Sequence, residues 1–260
     1  MRFITYNVNS ITARLPRLLA LLDEVDPDIV CVQETKVAVD AFPHLALRSV
    51  GYVAADYSGG RWNGVAILAR SEIGFDDLKM GLHGEVVTDE ARWVEASVGG
   101  IRVVSAYVPN GQAVGSEPFA QKLAFLEAMG RRSRQLVDQP AIIAGDLNVC
   151  PTDLDVWDPA EIHGATHITD EERSRLAVVV DNGFVDTFRA LHPTEPGFTW
   201  WDYRFGAFHK GHGLRIDHVL ASAPLAGRLR TAGINRDFRK PSKVPESKPS
   251  DHAPLIVEFE

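Results

Sequence analysis

The chain has 260 residues, 45% hydrophobic and 24% charged, long enough to bury a substantial core. No apolar run approaches the ~20 residues of a membrane helix, and the N-terminus Met1-Arg2-Phe3-Ile4 passes directly into a strand pattern without signal-peptide architecture. A formal net charge of −8 argues weakly against a passive nucleic-acid binder, while Cys31 and Cys150, without metal-ligand spacing, point to reduced thiols in a cytoplasmic protein.

In chain order, residues 2–8 read as a strand. Thr12–Val25 follow as a helix with Leu15, Leu18, Leu19, Leu22 and Val25 on one face and Pro16 in its first turn. Pro27-Asp28 breaks it, and Ile29–Val32 reads as a buried strand. Tyr52–Asp56, Val65–Ala69, Trp93–Val98 and Ile101–Val108 follow as strands, the last two joined by Gly99-Gly100 in hairpin style. Ser116-Glu117-Pro118 opens a second long helix with Phe119, Leu123, Leu126 and Met129 facing inward. Ala141–Ala144 is an apolar run suited to a strand buried on both faces, and Gly145 lets the chain turn. Residues 151–167 read as irregular, and Thr169-Asp170-Glu171-Glu172 as the capping box of a third helix. Val185-Asp186, Phe198–Trp201, Ile216–Ala221 and Leu255–Phe259 complete the strands. Residues 228–248 form a basic stretch, either a solvated loop or a phosphate-contacting one.

A faint internal repeat links Arg2-Phe3-Ile4-Thr5 to Arg102-Val103-Val104-Ser105; each is followed by a helix and then by an apolar strand ending in acid. Two such halves predict an α+β fold of four layers, with two mainly antiparallel sheets face to face and helices outside. No linker divides them, so residues 1–260 read as one domain.

Three segments, ending at Glu34, Asp146 and Asp217, each place a carboxylate where an apolar strand runs out, a position where ligands gather in α/β sheets. One such acid alone would read as a turn cap; three together do not. With Asn7, Tyr107, Asn110, Asn148, Asp251 and His252 they form a set suited to metal-assisted phosphoryl transfer. Mg²⁺ takes one or two carboxylates and fills its other positions with water and phosphate oxygens, with Glu34 the first choice of ligand. Zinc is disfavoured because paired His/Cys spacing is missing. Individually, Asn7 reads equally as a strand-end cap, Tyr107 as a core aromatic and His252 as a surface histidine. The other histidines read as structural or exposed.

Gln33-Glu34-Thr35-Lys36, Tyr107-Val108-Pro109-Asn110-Gly111, Gly145-Asp146-Leu147-Asn148, Leu214-Arg215-Ile216-Asp217 and Pro249-Ser250-Asp251-His252 resemble, in order, the exonuclease III family of apurinic/apyrimidinic endonucleases, on the deoxyribonuclease I-like fold. The resemblance implies that Glu34, Asn7 and Asp251 hold Mg²⁺, with Mn²⁺ as a substitute ion. It implies that Asp146 activates a water which Asn148 orients. His252, paired with Asp217, would bind or protonate a phosphoryl oxygen, and Tyr107, near Asn110, would assist the departing oxygen. Trp200, Leu214 and Ile216 match an apolar pocket for a sugar lacking its base, with core packing the alternative for Leu214 and Ile216. Arg61 and Trp62 would probe or stack on DNA, and Lys36 would touch a phosphate.

The implied enzyme is a monomeric Mg²⁺-dependent repair nuclease of double-stranded DNA. It would cut 5′ to abasic sites and remove 3′ blocking groups or 3′ nucleotides, without membrane association. The rivals are a phosphatase or phosphodiesterase on the same scaffold, acting on inositol phosphates or phospholipid headgroups, and a catalytically inactive DNA-binding scaffold.

Overall fold

The computed structural model describes residues 1–86 and 88–260. Its strands are β1 (Arg2–Asn7), β2 (Ile29–Gln33), β3 (Tyr52–Tyr57), β4 (Val65–Arg70), β5 (Asp76–Met80), β6 (Trp93–Val98), β7 (Ile101–Tyr107), β8 (Ala141–Asp146), β9 (Phe184–Asp186), β10 (Asp217–Ser222), β11 (Leu229–Ile234) and β12 (Leu255–Phe259). The helices are α1 (Ile11–Val25), α2 (His44–Arg48), α3 (Glu117–Leu136), α4 (Asp170–Asp181), α5 (Thr187–Leu191), α6 (Ala207–Lys210) and α7 (Ala223–Ala226).

Two six-stranded sheets form, in the orders β11-β12-β1-β2-β4-β3 and β5-β6-β7-β8-β10-β9. Every pairing is antiparallel except β1 with β2 and β7 with β8. These two parallel pairs are the halves of the internal repeat, each closed by its crossover helix, α1 or α3. The expected mainly antiparallel, face-to-face architecture is what forms.

Strand alternation explains the four layers. Phe3, Ile29, Cys31, Ile67, Val103, Ile142, Ala144 and Val219 point between the sheets. Their neighbours point outward: Ile4, Val30, Val32 and Leu68 meet Leu18, Leu21 and Leu22 of α1, and Val104, Ile143 and Leu220 meet Phe125, Leu126, Met129, Leu176 and Val179 of α3 and α4. The central strands are thus buried and largely apolar on both faces because both are covered, with Thr5, Gln33 and Ser105 among the buried exceptions.

Several expected elements differ in detail. α1 begins at Ile11, capped by Ser10, and its buried residues include Arg17 and Leu21, whereas Leu15, Leu19 and Val25 are half-buried. In α3, Leu123 is half-buried, while Lys122 and Phe125 are buried. Gly145 is no turn: β8 continues through it, and its φ of 148° serves close approach, because a Cβ there would lie 1.9 Å from the Ala106 carbonyl oxygen. Phe198–Trp201 forms no strand. It makes isolated bridges from Trp200 to Leu214 and His252, and its amides at Thr199 and Trp200 donate to Leu214 O at 2.8 and 2.9 Å. The Gly99-Gly100 hairpin and the Thr169/Glu172 capping box form as expected, with φ of 56° and 80° at the two glycines. Two edge strands escaped the sequence reading. β5 is exposed throughout, and β11 lies within the basic stretch with a register shift; neither has the apolar alternation of a covered strand.

Candidate active site

The two parallel pairs end at one rim, and the polar residues sit where they stop. Asn7 is the last residue of β1 and Gln33 of β2, with Glu34 one step beyond. Tyr107 and Asp146 end β7 and β8 as register partners. Asp217 arrives differently from expectation: it is the first residue of β10, not the last. Because β10 runs antiparallel to β8, its start lies beside the end of β8, with Asp217 opposite Asp146.

Asn7 joins the sheets at this rim. Its amide nitrogen donates to Glu34 Oε1 at 2.7 Å and to Asp146 Oδ2 at 2.9 Å. His252 Nδ1 bonds Asp217 Oδ2 at 2.8 Å, and its Nε2 stands 3.8 Å from Asp146 Oδ2. Thr199 Oγ accepts from the amides of Ile216 and Asp217, fixing the acid behind the imidazole. The Asn148 amide hydrogen goes to Asp146 Oδ1 at 3.1 Å, and its side chain is held by Val108 O and by Asn110. Glu34, Lys36, Asn148 and Asn9 all adopt positive φ, between 45° and 53°. Non-glycine residues held in this region cost free energy, and such positions cluster at functional sites.

The electrostatics follow from burying acids together. Burial, with Asp217 and Glu34 close by, raises the Asp146 pKa to about 8 against the opposing pull of His252 and Asn7. Burial disfavours a charged His252, yet Asp217, Asp146 and Asp251 outweigh it and lift its pKa to about 10, so the ring is an imidazolium at neutral pH. Burial, then Glu34 and Asp146, push the Tyr107 phenol well above its ordinary value, keeping it a proton donor.

Glu34, Asp146 and His252 each offer a ligand atom within 4.8 Å of the others. His252 is committed to Asp217 through one nitrogen and is protonated, so the donors that fit a cation are carboxylate oxygens. That set suits a hard divalent cation. The acids gathered here, Glu34, Asp146 and Asp217, have only Lys36 and His252 as cationic partners, and a divalent ion would complete the balance. Asp251 stands apart from the cluster, accepting from Asn9 Nδ2 at 2.9 Å and Trp200 Nε1 at 3.0 Å.

The remaining residues are divided between the cleft and its surroundings. Asn110, Trp200 and Ile216 line the cleft with the catalytic candidates. Leu214 does not: it packs with Cys150, Val156 and Ile216 in a buried cluster, the core alternative. Lys36 binds Glu34 Oε2 at 2.6 Å and Asn9 Oδ1 at 2.7 Å, so its ammonium is engaged inside the site. Arg61 and Trp62 are exposed on the loop before β4, 5.0 Å from guanidinium to ring, outside the cleft lining.

Sequence reasoning missed Asn9, His167, Asp202 and Arg204. His167 lines the cleft, with Nδ1 2.6 Å from Asn148 O, and Asp202 and Arg204 form its outer wall. His167 lies at the end of a long irregular loop, where no periodicity marks which side chain turns inward. Beneath it, the fully buried Lys122 donates to Asn148 O at 2.7 Å and Asn110 O at 3.2 Å and pairs with Glu172. Both cysteines are buried and unpaired.

Comparison with known proteins places these features in context. A model of the endonuclease/exonuclease/phosphatase family matches residues 4–252. The exodeoxyribonuclease III of Haemophilus influenzae is 33% identical, covering 100% of both chains. Among solved structures, a 3′ phosphatase from Neisseria bound to a product DNA hairpin superimposes with a TM-score of 0.95 at 34% identity, over 100% of this chain and 99% of that one. An AP endonuclease from Archaeoglobus fulgidus does so with a TM-score of 0.93 at 35% identity, again over 100% and 99%.

Proposed function

Because the chain belongs to the endonuclease/exonuclease/phosphatase family, in its exonuclease III branch, we propose that it hydrolyses phosphoesters of duplex DNA, at 3′ ends and on the 5′ side of abasic sites, with the help of Mg²⁺ or Mn²⁺. The observation that carries this is the meeting of Glu34, Asp146 and His252 around one point, with Asp217 behind the imidazole.

Glu34 and Asp146 would hold the ion, with Asn7 fixing both carboxylates. When bound, the ion neutralises phosphoryl oxygens and lowers the pKa of bound water. Asp146, freed of its own proton, accepts one from the attacking water, and the Asn148 side chain orients that water toward phosphorus. The His252 imidazolium donates through Nε2 to a non-bridging phosphoryl oxygen, its charge maintained by Asp217. Tyr107, neutral and buried, donates to the departing oxygen. The enzyme would work as a cytoplasmic monomer of one domain.

The cleft supports 3′-end hydrolysis as the leading activity. Of the expected apolar pocket only Trp200 and Ile216 reach the cleft, whose other walls are polar or charged. With a divalent cation held by its acids, such a lining suits a terminal phosphate better than a bare deoxyribose. The name of the Neisseria 3′ phosphatase is in keeping with this, and that of the Archaeoglobus AP endonuclease supports the abasic activity.

The test uses duplex oligonucleotides bearing a 3′-phosphate, a recessed 3′-hydroxyl or one abasic analogue, each with Mg²⁺ and with EDTA. Metal-dependent release of phosphate or nucleotides, faster than abasic incision, is the expected result. Hydrolysis of inositol phosphates with DNA left intact would overturn the reading.

A further inference from the structure

A second pocket opens on the far side of Asp202, between the start of α1, the segment leading into α6 and the loop before β12. It encloses about 470 Å³, within the ~300–1,000 Å³ range of small-ligand clefts. Its polar lining comes chiefly from Arg14, Arg239 and Lys248, and its walls include the aromatic rings of Tyr203 and Phe208.

The cations are under-used. Arg239 is only 6% exposed, yet among the described residues its Nε has no hydrogen-bond partner, and its side chain's one hydrogen bond to them runs from Nη2 to Trp201 O at 3.3 Å. Arg14 Nε is likewise buried and unpartnered, its other nitrogens reaching Asn9 O, the Tyr203 hydroxyl and Pro249 O. Among the described residues, no carboxylate lies within ion-pair distance of Arg14, Arg239 or Lys248. The acid that lines the pocket, Asp202, is turned to Arg204 through three bonds of 2.7 to 3.1 Å. In a chain of net charge −8, three cations sharing a pocket without an acid partner are a departure from the average surface. A buried guanidinium with a free N–H costs free energy unless something accepts from it.

The rings narrow the ligand. The Arg239 guanidinium lies 5.0 Å from the Tyr203 ring and 5.1 Å from the Phe208 ring, so an anion drawn to it meets aromatic surface at once. Phosphate is the anion that arginine's planar fork matches best, and a nucleobase is the partner that aromatic walls and guanidinium planes stack upon. We propose that this pocket is a nucleotide subsite, taking the phosphate at Arg14, Arg239 and Lys248 and the base against Tyr203 and Phe208. Because Asp202 belongs to both walls, the occupant is either a mononucleotide released from the cleft or a nucleotide of the strand running past it. The proposal rests on the nucleic-acid reading above, but its test measures binding without turnover, so a failure of catalysis alone leaves it standing.

Binding to the full chain in EDTA is measured by calorimetry for deoxyadenosine monophosphate and inorganic phosphate, and by fluorescence anisotropy for a short single-stranded oligonucleotide. Arg239→Met and Lys248→Gln are each expected to weaken nucleotide binding by about tenfold or more, as loss of a phosphate-binding cation does, while Arg48→Gln, an equal loss of charge on the exposed end of α2 and outside the lining of either pocket, leaves it unchanged. Loss confined to the mononucleotide supports the released product as occupant; loss confined to the oligonucleotide supports the passing strand. Affinities indifferent to both substitutions overturn the proposal, as does inorganic phosphate binding as tightly as the nucleotide. Should Arg239→Met fail to fold, the exposed Lys248 decides the matter alone.

Discussion

Around Arg215 every buried acid has a guanidinium; around Asp146 the acids outnumber their cations. Arg215 Nε meets Asp155 Oδ1 at 2.7 Å and Nη2 meets Asp186 Oδ2 at 2.8 Å, with Arg189 also on Asp155. Burial would raise both carboxyls, but Arg215 holds Asp155 and Asp186 below the usual carboxylate range. One strand away, Asp146 has a shared imidazolium and N–H donors from Asn7 and Asn148 but no guanidinium, and burial drives its pKa up to about 8. The two regions are equally buried and a few residues apart, since Arg215 and Asp217 belong to the same segment. The matched cluster stabilises the segment that delivers Asp217; the unmatched one stores a demand for positive charge, which a metal ion and a substrate can meet.

Substitution at the unmatched acid should have the largest effect. Asp146→Asn is expected to lower 3′-end hydrolysis by about a thousandfold, the scale of a lost general base, while the melting temperature in EDTA holds or rises because like-charge repulsion is relieved. A large loss of stability instead would make Asp146 a structural acid like Asp155. Arg215→Met should do the reverse, destabilising the fold by about 3–5 kcal/mol by taking the guanidinium from Asp186 and leaving Asp155 with Arg189 alone, as read by urea denaturation.

The comparison sharpens when the missing charge is supplied. Mg²⁺ at about a hundredfold above its dissociation constant should add about 2.7 kcal/mol, and Glu34→Gln should remove most of this gain. The gain should grow as pH climbs through about 8, where Asp146 gives up its proton. In EDTA the sign is opposite. Because the folded pKa of Asp146 is raised above its unfolded value of ~3.9, the metal-free fold loses stability as pH rises toward about 8. Thermal melts across pH, with and without Mg²⁺, check both slopes.

His252 and Asp217 give a smaller and more local readout. The raised pKa of His252 means its stabilisation is complete below the unfolded value of ~6.5 and is lost as pH rises through about 10. Asp217→Asn should bring the ring's titration down to neutral pH or below, seen by NMR of the imidazole in metal-free protein. Least affected should be Trp200→Ala, which is expected to reduce hydrolysis of simple 3′ ends by only a few-fold and abasic incision by more; equal losses would count against Trp200 as a sugar contact.

Much of this was written in the chain. The apolar runs Ile29–Val32 and Ala141–Ala144 announced strands covered on both faces, and the Thr169 capping box set the start of α4. The acids at Glu34 and Asp146 fell where those strands stop, because a strand's end is a local property of its own residues. Other features depend on which neighbour arrives. Leu214 and Ile216 have the same chemistry and lie two apart, and both pack in one buried cluster, yet only Ile216 also lines the cleft. Phe198–Trp201 carries strand-forming residues but bridges loops instead, because its amides find Leu214 and Asp251 rather than a strand partner. His167 and Asp202 became part of the site only when long loops folded across the rim.

The sequence by itself determined the two βαβ halves, the apolar strands between them and the polar residues at their ends, since hydrophobic periodicity and chain breaks act over a few residues. The tertiary structure alone decided the charge balance. Whether an acid at a strand end is neutralised, as Asp186 is, or left waiting for a cation, as Asp146 is, depends on side chains brought from other parts of the chain, and Coulomb energies depend on distance and burial in space.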